Sequence, residues 1–292
     1  MTHRAFVVLL TITTLAGVPG AGHAQDATPV STETSLATPA SPVAEITTEI
    51  LARISLPAAA IPPPPAIVDV WLWTLNPGQE MAFADGELPP SIAADVLLSG
   101  EVTVQSAGRM QVQRAQGVEE ATPGTDVALR AGEAVIYVDN QAAQTVRNTG
   151  DSSARAISFG VFSTAPPSSL ADGPLSTEDW ERSGLAGHDL VVTVERLTVP
   201  PGASLPVFVP DVHAPRIFAV AEGVVQSALV SDDTATPARP VSFRRDDVIW
   251  FRTLDPGVQR RLRNDVDRPL ELLQLTIDVA PSEPAAGATP PP

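Results

Sequence analysis

Four blocks of this sequence occur twice in the same order, and that repetition constrains the fold more than any single residue does. WTLNPGQEMAF (Trp73 to Phe83) matches LTVPPGASLPVF (Leu197 to Phe208) around Pro77-Gly78 and Pro201-Gly202. VLLSGEVTV, ending at Val104, matches FAVAEGVVQ, ending at Gln226, and pairs Gly100 with Gly223. LRAGEAVI (Leu129 to Ile136) matches FRRDDVIW (Phe243 to Trp250), and VRNTGDSSARAISF matches LRNDVDRPLELLQL, pairing Asn148 with Asn264. Two copies of one domain are the economical explanation, and 292 residues are enough for each copy to bury a core.

The segments between the Gly, Pro, Asp and Asn punctuation are short and rich in Val, Ile, Leu and aromatics. Examples are VDVWLWTL, ADVLLSGEVTVQS, DVALRAGEAVIYV, ARAISFGVF, LVVTVERLTV, RIFAVAEGVVQSALV, DVIWFRTL and LELLQLTIDV. None keeps helical periodicity over a comparable length. One short helix is expected at STEDWERSG, where Ser176 can cap and Glu178 and Asp179 suit the first turn. The expected class is therefore all-β.

The ends read differently. His3 and Arg4, the apolar run AFVVLLTITTLAGV, the Pro19-Gly20 break and the small residues of GHA form an export signal over residues 1–24. The run is short for a membrane span, so the expected location is extracytoplasmic, with no transmembrane span after cleavage. Residues 25–47 are Thr, Pro, Ala and Ser-rich and are expected to form a disordered tether; 280–292 read as a disordered tail. A linker over 164–187 separates the repeats, leaving domains at 48–163 and 188–279.

Composition excludes several chemistries. There is no cysteine, so disulfides, thiolate catalysis and zinc–thiolate sites are ruled out. The net charge of −16 disfavours nucleic acid and anionic lipid surfaces as partners. No G-x-S-x-G and no phosphate-binding glycine loop is present.

With the blocks placed, each half resembles a cupin domain and the whole resembles a bicupin: two tandem jelly-roll β-barrels. The family's first motif runs from a Pro-Gly turn through His-x-His and Glu to a closing Gly. Here Gly78 to Gly100 and Gly202 to Gly223 keep that spacing. Gly132-Glu133 and Asp246-Asp247 stand where the second motif has Gly-Asp, and Asn148 and Asn264 where it ends in Asn.

The resemblance implies a metal held by three imidazoles and a carboxylate on inward positions. The matching positions carry Ala93 and Gln144 in the first half, and Arg216 and Arg260 in the second. His188 and His213 are the only histidines after the signal, too few for a three-His site, so no cofactor is expected.

Two functional readings follow. In the first, the chain is an exported, non-catalytic bicupin with a binding, structural or interaction role. Asp95 and Gln144 would then be polar anchors in a mostly apolar first barrel that includes Leu97, Val146, Trp71 and Trp73, unless side chains simply fill it. In the second barrel Arg216 and Arg260 would point inward on adjacent strands and hold a small anion, unless they pair with carboxylates such as Asp211 or Glu222. In the alternative reading, the chain is a metal-independent cupin-fold enzyme, isomerase- or lyase-like, acting on a small acidic or sugar-like substrate. Metal-free cupin-like isomerases pair a His-Asp base with a Tyr acid; here the single tyrosine, Tyr137, lies in the first half and His188 and His213 in the second, so no catalytic residue is assigned. Pairing of cupin-like sheets would also allow a homodimer. If a ligand exists, the sequence points first to the second barrel.

Overall fold

The computed structural model describes residues 45–164, 177–208, 211, 213, 215–230, 240–250 and 259–281. The export signal, most of the tether, the centre of the linker and the tail lie outside them.

The first repeat runs β1 (Thr47–Leu56), β2 (Ile67–Leu75), β3 (Glu80–Phe83), β4 (Ser91–Ser99), β5 (Glu101–Ser106) and β6 (Met110–Arg114). It continues with β7 (Gly117–Ala121), β8 (Val127–Arg130), β9 (Ala134–Tyr137), β10 (Gln144–Asn148) and β11 (Ala154–Phe162). After α1 (Thr177–Ser183), the second repeat runs β12 (Leu190–Val199), β13 (Arg216–Glu222), β14 (Val224–Val230) and β15 (Val241–Arg244). β16 (Val248–Trp250), β17 (Gln259–Arg263) and β18 (Leu270–Val279) complete it. The all-β expectation holds, and α1 is the short helix expected at STEDWERSG.

The repeat in sequence is a repeat in topology. One sheet has the order β2-β11-β4-β9-β6-β7, and its counterpart has β1-β12-β18-β13-β16. The order β2-β11-β4-β9 reappears as β12-β18-β13-β16. The opposing sheets, β3-β10-β5-β8 and β15-β14-β17, correspond in the same way. Each repeat is thus a jelly roll of two facing antiparallel sheets. Among the described residues the hairpin β6–β7 has no counterpart in the second repeat.

Turn chemistry explains why the matched blocks are where they are. Gly132 has φ 86° and Asp246 has φ 72°, so equivalent corners both need left-handed backbone. Gly enters that region freely, and Asp is among the few side chains that tolerate it. Gly132 N–H donates to Leu97 O, and Asp246 N–H donates to Val220 O. The next residue closes each corner with its carboxylate: Glu133 accepts from Arg130 N–H, and Asp247 from Arg244 N–H.

Strand alternation then builds three cores. In β11, Ile157, Phe159 and Val161 face the other repeat, while Ala154 and Ala156 face their own barrel. In β18, Leu273, Leu275 and Ile277 face the first repeat, while Leu270 and Leu272 line the second barrel. Both large sheets are buried on two faces, which is why these strands read as nearly unbroken apolar runs. Trp180 of α1 is fully buried in the shared core. Arg155 bridges the repeats as well: its guanidinium donates to Ala221 O and to the carboxylate of Asp246.

β1 departs from the sequence reading. Placed in the first repeat by position, it pairs antiparallel with β12 from Thr47↔Thr198 to Leu56↔Leu190, extending the second repeat's sheet.

Candidate functional site

The first barrel is not filled. Its interior opens into a cavity of about 710 Å³, within the range that holds small-molecule ligands. The reason lies in side-chain volume. On β4 and β11 the residues paired at one inward level are Ala93 and Gly160; the Phe162 ring lies over Gly160 and becomes part of the wall, while Ala93 adds only a methyl group. Below them Val102, Val104, Leu129 and Ala156 close the barrel base.

Aromatic and aliphatic groups form most of the wall. β2 contributes Trp71 and Trp73, β3 contributes Met81 and Phe83, and β11 contributes Phe162. The Trp71 and Phe162 rings lie 6.3 Å apart and tilted, a favourable aromatic arrangement. The second repeat also reaches the cavity, through Phe243 on β15, the Asp246-Asp247 corner and Trp250 on β16.

Two polar clusters interrupt this wall. In one, Trp73 Nε1–H donates to Ser158 Oγ at 2.7 Å, and the Ser158 hydroxyl donates to Asp95 Oδ1. The Tyr137 hydroxyl donates to Asp95 Oδ2 at 3.1 Å. All donors run toward Asp95, so both carboxylate oxygens act as acceptors, an arrangement that suits the ionised form. Burial works against it and raises the Asp95 pKa above the usual carboxylate range. Tyr137 is held well above the ordinary phenol value, first by burial and then by the neighbouring Asp95 charge.

In the second cluster Gln144 Nε2–H donates to Asn140 Oδ1 at 2.9 Å, and Asn140 Nδ2–H donates to Ser91 Oγ. Ser91 donates in turn to Pro89 O. Gln144 is therefore anchored mainly through another side chain.

Asp69 was not singled out in the sequence. It is 7% exposed on the inward face of β2 and lines the cavity. Its one hydrogen bond among the described residues comes from Val70 N–H to Oδ1. Burial raises its pKa to about 6, against the smaller downward pull of that amide. A signal was available: Asp69 is the one charged residue in IVDVWLWTL.

Because the folded-state pKa lies above the unfolded value, the native protein binds the Asp69 proton more tightly. Stability contributed by this group is greatest below about pH 4 and is lost as pH rises through about 6. Asp69→Asn should remove that loss and stabilise the protein by about 1–2 kcal/mol at pH 7, less than the full shift implies because cavity water screens the charge. Urea unfolding at pH 4.5 and pH 7 checks this. An unchanged difference between the two pH values in the variant would refute the assignment.

The structure brings Ala93, Asp95 and Gln144 to one cavity, as their inward positions predicted. The arginine pair behaves differently. Arg216 is exposed at the outer end of β13, and Arg260 is half-buried on β17. These strands belong to opposite sheets, so the expected adjacency is corrected. Equivalent family positions converge across a barrel, and adjacency along one sheet was the wrong geometry to infer. Arg260 exchanges backbone hydrogen bonds with Phe208, whose ring packs on Phe218.

The metal implied by the resemblance does not fit the residues present. Ala93 has no donor atom, Gln144 commits its amide N–H to Asn140, and two guanidinium cations occupy the second barrel's positions. Among the described residues no three His, Asp or Glu side chains gather as a metal site. His213 is exposed, and its Nδ1 lies 2.9 Å from Ser183 O.

Two tandem jelly rolls with matched corners, set face to face through their larger sheets, are the fold of a bicupin. No family model matches the sequence, and no curated protein matches it. Among solved structures the chain is similar to pumpkin seed globulin, with 10% identity over 73% of this chain and 79% of that one and a TM-score of 0.43. YhaK from Escherichia coli matches with 17% identity over 79% and 94%, TM-score 0.40. Bacillus subtilis oxalate decarboxylase matches with 12% identity over 74% and 70%, TM-score 0.38. Among the described residues no helix is long and apolar enough to cross a membrane.

Proposed function

We propose that this chain is an exported, non-catalytic bicupin whose first barrel binds a small, mostly apolar molecule. The cavity carries the proposal: about 710 Å³ walled by aromatic rings and marked by a few fixed polar groups. Such a combination favours an apolar body with one oriented polar end. The Asp95 cluster is internally satisfied, which favours holding a ligand over turning it over. Export rests on the amino-terminal signal pattern.

The alternative is a metal-independent enzyme that moves a proton between Asp95 and a bound substrate. The direct Tyr137–Asp95 hydrogen bond favours it. The isomerase- or lyase-like chemistry expected from the resemblance belongs to this reading.

Thermal-shift screening of the chain from Gln25 onward tests the binding reading, with neutral apolar compounds as the first probes. Three of the four tryptophans line the cavity, so binding should also change intrinsic fluorescence. Ala93→Leu, which narrows the cavity, should abolish both responses while keeping the fold. A fluorescence and stability response that persists unchanged in Ala93→Leu would place the ligand elsewhere.

A further inference from the structure

Building on that binding reading, we propose that the ligand of the first-barrel cavity is a small organic cation, an amine or quaternary ammonium on an apolar body.

The charges around the cavity all have one sign. Asp69, Asp95, Asp246 and Asp247 line it, and no Arg, Lys or His does so among the described residues. Two of the four are already matched and a third is solvated. Asp95 accepts from Ser158 and Tyr137, Asp246 is paired with Arg155, and Asp247, which accepts from the Arg244 amide, is exposed to water.

Asp69 is the exception. It is more than nine-tenths buried, and only one of its oxygens accepts a hydrogen bond among the described residues. A buried carboxylate with an open oxygen is costly unless something compensates it. A cation in the cavity would supply that compensation, whereas an anion would add repulsion to desolvation.

The rings beside Asp69 suit the same occupant. Trp71 and Trp73 follow it on the inward face of β2, and Trp250 lines the cavity from the second repeat. Tryptophan presents the most favourable ring face to a cation, and the attraction grows when water is excluded. A buried carboxylate with an open oxygen, in a cavity that three indoles also line, distinguishes an ammonium group from an apolar group of the same shape.

A charge series on one skeleton tests this. The chain from Gln25 onward is titrated with choline, with its neutral isostere carrying carbon in place of the ammonium nitrogen, and with the matching carboxylate tert-butylacetate. Calorimetry and tryptophan fluorescence give the affinities. Choline should bind about tenfold or more tightly than the neutral alcohol, and the carboxylate most weakly. Asp69→Asn should remove most of choline's advantage and leave the alcohol unchanged.

Equal or tighter binding of the alcohol, or no saturable response to choline, overturns the inference. If a neutral probe still binds and Ala93→Leu abolishes it, the binding reading stands without the cation. If no probe of any charge binds, both fall. The wild-type charge series decides the matter even where a variant is unstable.

Discussion

Asn148→Ala and Asn264→Ala should each cost about 2–4 kcal/mol of stability, far more than an ordinary strand-end substitution. The two side chains occupy the same place in the two repeats and make the same three bonds. Asn148 Nδ2 donates to Leu75 O and Ser152 O, and its Oδ1 accepts from Gly150 N–H. Asn264 Nδ2 donates to Val199 O and Arg268 O, and its Oδ1 accepts from Val266 N–H. The residues are 1% and 0% exposed. Alanine therefore leaves two carbonyls and an amide without partners where water cannot readily replace the lost side chain.

The backbone around each Asn belongs to the same clasp. Asn148 O accepts from Gly78 N–H, and Asn264 O accepts from Gly202 N–H. Each Asn thereby ties the Pro-Gly turn to the end of its barrel. Urea unfolding of both variants checks the prediction, with midpoints expected to fall without loss of cooperativity. If both lie within about 1 kcal/mol of wild type, the clasp is not what holds the strand end. Aspartate should do no better, because its carboxylate would face two carbonyl oxygens.

Beginning the chain at Pro57, without β1, should cost about 5 kcal/mol or more, comparable with the whole stability of many domains. Ile54 and Leu56 are essentially fully buried in the shared core, and Ala52 nearly so. Their loss exposes apolar surface on both repeats, and the β12 edge loses its hydrogen-bonded neighbour. An open edge of that length recruits other strands, so self-association should accompany the lost stability. Sedimentation and urea unfolding measure the two effects. A peptide spanning residues 45–56, added in trans, should restore the midpoint by strand addition. A truncated chain that stays monomeric with an unchanged midpoint would show that β1 is dispensable.

How much of this was legible in the sequence depended on whether the constraint was local. Gly132 and Asp246 mark the same corner because the backbone there demands left-handed φ, and few residues meet that demand. Asn148 and Asn264 could be aligned because each makes bonds within a few residues of itself. The tandem barrels, the inward Asp95 and Gln144, and the helix carrying Trp180 followed from such local rules and strand alternation.

The remaining features depend on distant neighbours. Nothing within TTEILARISL says that it will join β12 and leave its own repeat. The cavity is a sum over many volumes: the space over Gly160, opposite Ala93, is taken by the Phe162 ring, so no single small residue announces the opening. Asp69 was visible as a charge in an apolar strand, but its meaning required knowing which face of β2 looked inward. For Arg216 and Arg260, parity along the strand was no guide to which sheet each strand would join.

The pairing of β1 also sets a timetable. Thr47 leaves the ribosome more than a hundred residues before Thr198, its partner. The contact is among the most remote in the chain, and contacts of that kind slow folding because a long loop must close first. Until β12 arrives, β1 is an unpaired strand with an apolar face. In a crowded solution the β12 of a second molecule is an equivalent acceptor, so slow closure and reciprocal exchange between chains arise from the same piece of topology.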